Sequence, residues 1–351
     1  MRKIIVIFAS LTIALLLAGC GRSRPGPADG RLQVVATIFP QFDFVRHIAG
    51  ERVALTMLLS PGAESHGFEP TPRDMLTINN ADLLIYVGGH GDVWVEPILA
   101  SLGREDMRVV ALLDLVDVVE HEHHHDHGHH HHGHGHGHHH HGHHDCDDDY
   151  CDVDHGHHAH HHHAHHHGHG HHHHEPHYDE HVWTCPRNAI LIVQALERVL
   201  SELDPDNAYY FRANAAAFIS ELEALDRAFV EVVANAARTT VVFGDRFPFR
   251  YLTDTYGLTY FAAFIGCSAE TQASPATIAM LIETIREENI PVVFHIEFSN
   301  RLIANVIAEA TGARLLELHS LHNVSHAEFT AGVTYLDLMR RNVETLREAL
   351  N

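Results

Sequence analysis

Histidine, a side chain that binds transition metals, is concentrated in one part of this chain. Thirty-three of its 41 histidines lie between His121 and His177, and the other residues there are mostly Gly, Asp, Ala and Glu. Neutral imidazole is the commonest protein ligand for zinc and also suits copper and nickel. Such a composition cannot form an apolar core. It predicts a disordered, metal-binding insertion, although a solvated low-complexity loop with no selected role would look the same.

Three of the eight remaining histidines lie where a defined site could form. His66 follows a predicted strand and precedes a helix, and His181 stands in Asp179-Glu180-His181-Val182-Trp183, just before another helix. His319 directly follows a predicted strand. Ligands of α/β folds bind at the carboxyl ends of parallel strands, so these positions predict ligation. The alternative for His66 is an ordinary surface-loop histidine, and the acids before His181 could orient its ring.

The second half of the chain adds two carboxylates at strand ends. Asp245 follows one predicted strand and Glu297 another. His295 alternates onto a strand and is predicted to be buried structure, whereas His322 and His326 are either ligands or exposed loop residues. Metal-competent side chains at strand ends in both halves of the chain indicate a site in a cleft between two lobes.

The elements that must position these residues follow one alternating pattern. Short apolar β-branched runs alternate with helical stretches, which is typical of parallel α/β sheets. Strands are predicted at 32–38, 53–59, 83–87, 109–113, 239–243, 258–262, 292–296 and 314–318, with helices at 40–50, 72–79, 94–102, 188–203, 206–237, 274–288, 299–311 and 332–350. The predicted fold is α/β: two parallel-sheet lobes joined by a long rigid helix.

This pattern divides the chain into consecutive parts. The first lobe is predicted at 31–205 and is interrupted by the His-rich insertion, 121–177. A linking helix, 206–238, leads to the second lobe, 239–351. Apolar residues in the linking helix recur at intervals of three and four, as one face of a helix requires.

The N-terminus is predicted to be a bacterial lipoprotein signal peptide. Arg2 and Lys3 precede an apolar run that closes on Leu17-Ala18-Gly19-Cys20, a lipobox-like ending. Cleavage would remove residues 1–19 and lipidate Cys20, and residues 20–30 would form a tether; an ordinary signal peptide with an accidental Cys is the alternative. The mature protein is therefore predicted to be extracytoplasmic, anchored to the bacterial cell membrane by lipid and not spanning it.

The net charge and the cysteine positions limit the possible partners and the possible redox chemistry. A formal net charge of −23 argues against a nucleic-acid partner and favours cations. Cys146 and Cys151, inside the insertion, could form a disulfide or lend thiolates to a metal. Cys185 and Cys267 could form a long-range disulfide or remain two buried thiols.

Several motifs, taken in order, resemble one family. They are Val34–Pro40, Ser65–Pro72, Asn80–Gly88, His181-Val182-Trp183 and Tyr256-Gly257-Leu258. Together they resemble the bacterial ABC-transporter solute-binding lipoproteins for zinc and manganese (cluster A-I), in particular the zinc-uptake branch with a His-rich loop. The resemblance covers residues 31–350 apart from the insertion. It implies two α/β lobes joined by a rigid helix, with the metal between them.

The resemblance also implies a set of ligands. The family's first two histidine ligands fall on His66 and His181. Its third histidine falls on Gly244-Asp245-Arg246, where this chain has no histidine and Asp245 is the candidate substitute. The family's last carboxylate falls on His319, and Glu297 matches a common acid near the cleft. Nitrogen-rich coordination favours zinc over manganese.

The implied function is a high-affinity zinc receptor of an ABC importer. Zn²⁺ would be the transported ligand, and the partners would be a membrane permease and its ATPase, with the receptor itself a monomer and not an enzyme. One alternative is an extracytoplasmic metal-buffering protein. Others are a receptor for manganese, nickel or copper, and a metallohydrolase with Glu297 as base. The hydrolase lacks support because no compact His/Glu motif occurs in the sequence.

Overall fold

The computed structural model describes residues 30–64, 68–120, 178–265 and 273–351. The predictions made for the signal peptide, for lipidation of Cys20, for nearly all of the tether and for the His-rich insertion lie outside these residues. So do those for His66, Cys146, Cys151 and Cys267. Within the described ranges, no helix combines the length and apolar character that crossing a membrane requires.

Two four-stranded parallel sheets form the two lobes. The first contains β1 (Leu32–Ala36), β2 (Val53–Met57), β3 (Leu83–Tyr86) and β4 (Arg108–Ala111) in the order β2-β1-β3-β4. The second contains β5 (Thr240–Phe247), β6 (Thr259–Ile265), β7 (Val292–His295) and β8 (Arg314–Glu317) in the order β6-β5-β7-β8. The shared strand order and the parallel pairing confirm the predicted α/β fold with two lobes.

Ten α-helices connect and cover these strands in the described residues. In chain order they are α1 (Phe39–Ala49), α2 (Pro72–Asn79), α3 (Val95–Leu102), α4 (Pro186–Leu203), α5 (Ala208–Ala234), α6 (Arg250–Tyr256), α7 (Pro275–Glu287), α8 (Leu302–Thr311), α9 (His326–Thr330) and α10 (Tyr335–Leu350). Most match predicted helices within a few residues. α6 and α9 were not predicted, because each is too short to show helical periodicity.

The linking helix is α5, and it is shorter than the predicted range 206–238. Pro205 begins a separate short turn that is capped by Asp204, so α5 begins only at Ala208. Its 27 residues span about 40 Å at about 1.5 Å per residue. It packs along α4, α1 and α10. The connection between the lobes is therefore a stiff helical layer.

One continuous apolar core crosses both lobes through this helical layer. It includes Phe44 of α1, Leu196 of α4, Phe229 of α5 and Phe294 of the second sheet, all buried. The outer face of each sheet has its own small core under its own helices. Because the main core belongs to both lobes, burial of apolar surface holds the lobes together.

Cys185 stands at the start of α4 as a buried free thiol. Its Sγ lies 3.3 Å from the hydroxyl of Thr255. Of the two alternatives considered for this residue, the structure therefore shows the thiol and not the disulfide.

Candidate metal centre

A small cavity lies where the carboxyl ends of the two sheets meet. It encloses about 50 Å³ and is lined by His181, Asp245, Arg246, Glu297 and His322 among others. A single water needs roughly 10–15 Å³ of such space, so the cavity has room for an ion with a few waters. His181 comes from the first lobe and the other four residues come from the second.

His181 is held in one orientation by a buried carboxylate. Its Nδ1 lies 3.0 Å from Oδ1 of Asp179, and the same oxygen accepts the His181 backbone N–H at 2.9 Å. Both side chains are almost fully buried. A carboxylate on Nδ1 fixes the tautomer in which Nε2 is the nitrogen that can bind a metal. The predicted orienting role of the acids before His181 is confirmed for Asp179.

The loop that carries His181 is fixed by hydrogen bonds to the second lobe and to α10. The indole N–H of Trp183 donates to the Ser320 carbonyl at 2.8 Å, and the Tyr335 hydroxyl donates to the Trp183 carbonyl at 2.7 Å. Tyr251 donates its hydroxyl to the Asp179 carbonyl at 2.7 Å. The imidazole is therefore positioned by buried contacts on both sides of the cavity.

Asp245 reaches the cavity from within β5, not from beyond its end. The sequence predicted that this strand ends at residue 243, but β5 continues to Phe247 across an irregularity in register between Phe243 and Arg246. Asp245 is 8 % exposed, and its Oδ1 accepts the Arg246 backbone N–H at 2.8 Å. The Arg246 guanidinium bridges the lobes to Glu64 at 3.0 Å. Asp245 thus presents a buried carboxylate to the cavity.

Glu297 follows β7 and is held by Ser320. The Ser320 backbone N–H donates to its Oε2 at 2.7 Å, and the Ser320 hydroxyl donates to its Oε1. An ionised carboxylate has about four lone-pair sites, so two accepted bonds leave Glu297 able to coordinate a cation. The side chain is 8 % exposed and lines the cavity.

His319 follows β8 but does not belong to the lining of the cavity. It is buried, and its Nδ1 accepts the Leu321 backbone N–H at 3.0 Å. Its backbone is held on both sides by the Asn342 side-chain amide, at 2.9 and 2.8 Å. His295, predicted to be buried structure, is 3 % exposed, and its Nδ1 lies 2.9 Å from the Ile296 carbonyl.

Sequence reasoning gave no role to Asn323, which joins the lobes beside the cavity. Its side-chain amide donates to the carbonyls of Ser60 and Ala63, both at 2.8 Å. The Gly62 N–H donates to the Val324 carbonyl at 2.7 Å. The first-lobe loop that runs toward residue 65 is therefore bound directly to the second lobe. No local sequence signal could reveal bonds between residues so far apart in the chain.

Two further acids lie behind the His181 loop. Burial raises the pKa of Glu180, whose Oε1 accepts the Gly91 N–H at 2.8 Å. Burial, with a smaller contribution from Glu180, raises the pKa of Asp92 from its ordinary value of 3.8 to about 6. Asp92 Oδ2 accepts backbone N–H groups from Val87 and Gly88 at 2.7 and 3.2 Å. The loop after β3 is thus built around a carboxyl that resists ionisation.

We expect Asp92→Asn to change the pH dependence of folding stability. Because the folded-state pKa is raised, the stability that Asp92 contributes is fully present below about pH 4 and is lost as the pH rises through about 6. Asn keeps the accepting oxygen without the charge. The free energy of unfolding of the variant, relative to that of the wild type, should therefore rise by about 1–3 kcal/mol from pH 4 to pH 8. Urea unfolding at both pH values measures this gain. A constant difference between the two proteins would contradict the assignment.

The structure brings three of the predicted site residues to one cavity: His181, Asp245 and Glu297. It places His319 behind that cavity, and His66 lies outside the described residues. Within the described ranges, no three His, Cys, Asp or Glu side chains converge closely enough to hold a metal ion. The ligand set therefore stays a prediction, to which the cavity gives a location.

Two parallel α/β lobes that meet at a cavity containing histidine and carboxylate side chains define a two-lobed ligand-binding protein. The family model "Zinc-uptake complex component A periplasmic" matches residues 34–349, so the chain belongs to that family. The resemblance seen in the sequence motifs is confirmed.

Relatives of similar length and longer relatives both match. The high-affinity zinc uptake system protein ZnuA of Bacillus subtilis is 28% identical over 348 residues, covering 98% of this chain and 97% of the relative. The zinc-binding lipoprotein AdcA of Streptococcus pneumoniae is 28% identical over 349 residues, covering 99% of this chain. The chain spans 61% of the length of AdcA.

Solved structures have the same fold. The metal-dependent lipoprotein YcdH from Bacillus subtilis superposes with a TM-score of 0.68 at 24% identity, over 92% of this chain and 100% of that one. The Zn(II)-bound ZnuA-like domain of Streptococcus pneumoniae AdcA gives a TM-score of 0.66 at 24% identity, over 92% of this chain and 99% of that domain. These likenesses establish the fold.

Proposed function

We propose that the protein is the high-affinity zinc receptor of an ABC importer and that it captures Zn²⁺ in the cavity between its lobes. The observation that carries this proposal is the buried Asp179–His181 pair at a cavity that His181 lines together with two carboxylates. Membership of the zinc-uptake family supports it. Zinc is the transported ligand, not a resident cofactor.

The donor set at the cavity agrees with zinc. Zinc binds imidazole nitrogen at about 2.0–2.1 Å and carboxylate oxygen at about 2.0–2.2 Å, almost always with four ligands in closed sites. The cavity offers the His181 imidazole with the carboxylates of Asp245 and Glu297. The sequence-derived proposal adds His66 and His319 to these. With these two histidines the set has three nitrogen donors and two carboxylates, whereas manganese would favour a set dominated by oxygen.

Partners and location follow from the same proposal. The receptor docks on a membrane permease, whose ATPase partner supplies the energy, and it acts as a monomer without enzymatic activity. Lipid on Cys20 anchors it outside the cytoplasm. The His-rich insertion, 121–177, gathers metal weakly near the cavity or caps it when metal is scarce. The names of the zinc-uptake and lipoprotein relatives support the transporter partner and the lipid anchor.

Uptake of radioactive zinc by bacteria lacking this gene tests the proposal. Complementation with the wild-type gene should restore uptake at low external zinc, whereas His181→Ala should not. His47→Gln is the matched control, because His47 stacks on Phe218 at 4.3 Å, away from the cavity. If the wild-type gene changed zinc tolerance without changing uptake, metal buffering would be the better account.

A further inference from the structure

We propose that His322 is a further nitrogen ligand that the second lobe supplies to the zinc. The inference rests on the proposed function, since it concerns the same cavity. His322 lines that cavity together with His181, Asp245 and Glu297. Among the described residues, His181 and His322 are the two imidazoles in the lining. They come from opposite lobes, so one ion bound by both would join the two lobes.

The two rings are separated by a distance that suits one shared ion. Their centres lie 5.8 Å apart, with the ring planes at 80°. Two imidazoles bound to one tetrahedral zinc at about 2.1 Å place their ring centres about 5 Å apart. A shift of less than 1 Å would therefore bring both rings onto one ion, a movement of the size that side chains make when a ligand binds.

A strained turn places His322 at the cavity. Leu321 has a φ of +64°, in the left-handed region, although it is neither Gly nor Asn and its side chain is fully buried. The turn is braced by the Ser320 hydroxyl, which accepts the His322 N–H at 3.3 Å, and by the bonds of Asn323 to the first lobe. Strained backbone persists where the surroundings over-determine it and is concentrated at functional sites. Here it sends the Leu321 side chain into the core and leaves His322 at the cavity.

His319 is less suited to this role because of its hydrogen bond. Its Nδ1 accepts the Leu321 N–H at 3.0 Å, so in the neutral ring the proton resides on Nε2. For Nε2 to bind a metal, the proton would have to move to Nδ1, where it would point at the Leu321 backbone N–H. This hydrogen bond makes His319 the poorer donor, whereas the same turn places His322 in the lining of the cavity.

A side chain introduced at Gly244 could not supply the nitrogen either. A Cβ built on Gly244 would lie 2.3 Å from the Cα of Ala304 and 2.8 Å from its backbone nitrogen. Real Cβ atoms essentially never approach so closely, and the obstacle is backbone, which cannot rotate away. Packing of α8 against β5 therefore excludes any side chain at 244. A nitrogen donor of the second lobe must come from another element, and the turn after β8 provides one.

Trp183 offers a readout of this cavity in the full chain. Its ring contacts His181 at 5.4 Å and His322 at 5.1 Å between ring centres. The chain has two tryptophans, so Trp94→Phe leaves Trp183 as the sole tryptophan, and excitation where tyrosine does not absorb reports on it alone. Zinc bound by the two histidines would place a cation beside this ring and change its emission, and the His181→Ala variant identifies any part of the signal that comes from zinc bound elsewhere. The experiment is a zinc titration of the mature Trp94→Phe protein in a chelator-buffered series, followed by this emission.

In that background, His322→Ala should raise the free zinc concentration at the midpoint at least about tenfold, since even loss of a residue that only supports a ligand costs about 10–100-fold. His322→Asp, which keeps a zinc-binding group, should recover part of the loss, and His322→Asn should not. His47→Gln, a histidine away from the cavity, is the control and should leave the midpoint unchanged. Thermal unfolding should show that the variants are folded.

The outcomes separate this inference from the proposed function. If His181→Ala abolishes the signal while His322→Ala leaves the midpoint unchanged, His322 is not a ligand and the zinc receptor stands. Equal losses in His322→Ala and His322→Asp would also overturn the inference, because they would report damage to the turn and not the loss of a ligand. If His181→Ala leaves the midpoint unchanged, both the inference and the proposed site are wrong.

Discussion

Replacement of His181 by Ala is expected to weaken zinc binding at the cavity at least about 100-fold, because a ligand is lost and removal of a mere supporting partner already costs about 10–100-fold. The Asp179–His181 pair is buried, and the Tyr251 hydroxyl holds it from the second lobe. Isothermal titration, with a competing chelator to resolve the tight site, measures the change.

The partner of His181 provides the graded control. Asp179→Ala should weaken binding by about 10–100-fold, less than the loss of the ligand itself, because the imidazole remains but its orientation and basicity are no longer set. Asp179→Asn keeps an accepting oxygen, so its zinc affinity should lie between that of Asp179→Ala and that of the wild type. An Asp179→Ala variant that binds zinc as tightly as the wild type would show that the imidazole does not act through this pair.

Gly244→Ala is expected to destabilise the fold by about 3 kcal/mol or more, at or beyond the upper end of ordinary overpacking. The added methyl would meet the backbone of Ala304 at 2.3 Å, so α8 would have to move away from β5. Urea unfolding, followed by circular dichroism, measures the loss. Gly244→His should be worse, because its larger side chain would meet the same backbone.

Ala304→Gly provides the matched control for that prediction. Alone it should cost about 1 kcal/mol, the helix propensity difference between Ala and Gly. Combined with Gly244→Ala it should restore little stability, because the Ala304 Cα and N remain in the way after its methyl is removed. A double variant as stable as Ala304→Gly alone would mean that α8 can move away from β5 at little cost. Packing would then not exclude a side chain at 244.

Most of the fold could be predicted because local pattern and global architecture agree. Each strand of both sheets is a short apolar run with a helical stretch nearby, and parallel pairing needs such crossovers. The exceptions have local causes. Gly244 looked like a strand end, but β5 passes through it with an irregular register to Phe247. The helices α6 and α9 contain seven and five residues, too few for a 3.6-residue period to be recognised.

The candidate site was harder to predict than the fold. The carboxyl ends of predicted strands pointed to Asp245 and Glu297, and the position before a helix pointed to His181; all three line the cavity. The sequence did not distinguish His319 from His322, since that choice depends on the left-handed backbone of Leu321. It also gave no role to Asn323, whose partners Ser60 and Ala63 are 263 and 260 residues away in the chain. Bonds that form only after folding leave no local signal.

The central claim is that zinc is captured by the cavity and not by the His-rich insertion. Glu120 and Tyr178 pair as an antiparallel bridge, so the two ends of residues 121–177 lie side by side and a short Gly-Ser linker can replace that segment. Isothermal zinc titration of this shortened chain, beside its His181→Ala variant, is the most direct test. We expect one tight site in the shortened chain and its loss in the variant. A shortened, folded chain without a tight site would contradict the account, because the insertion would then be the binding device.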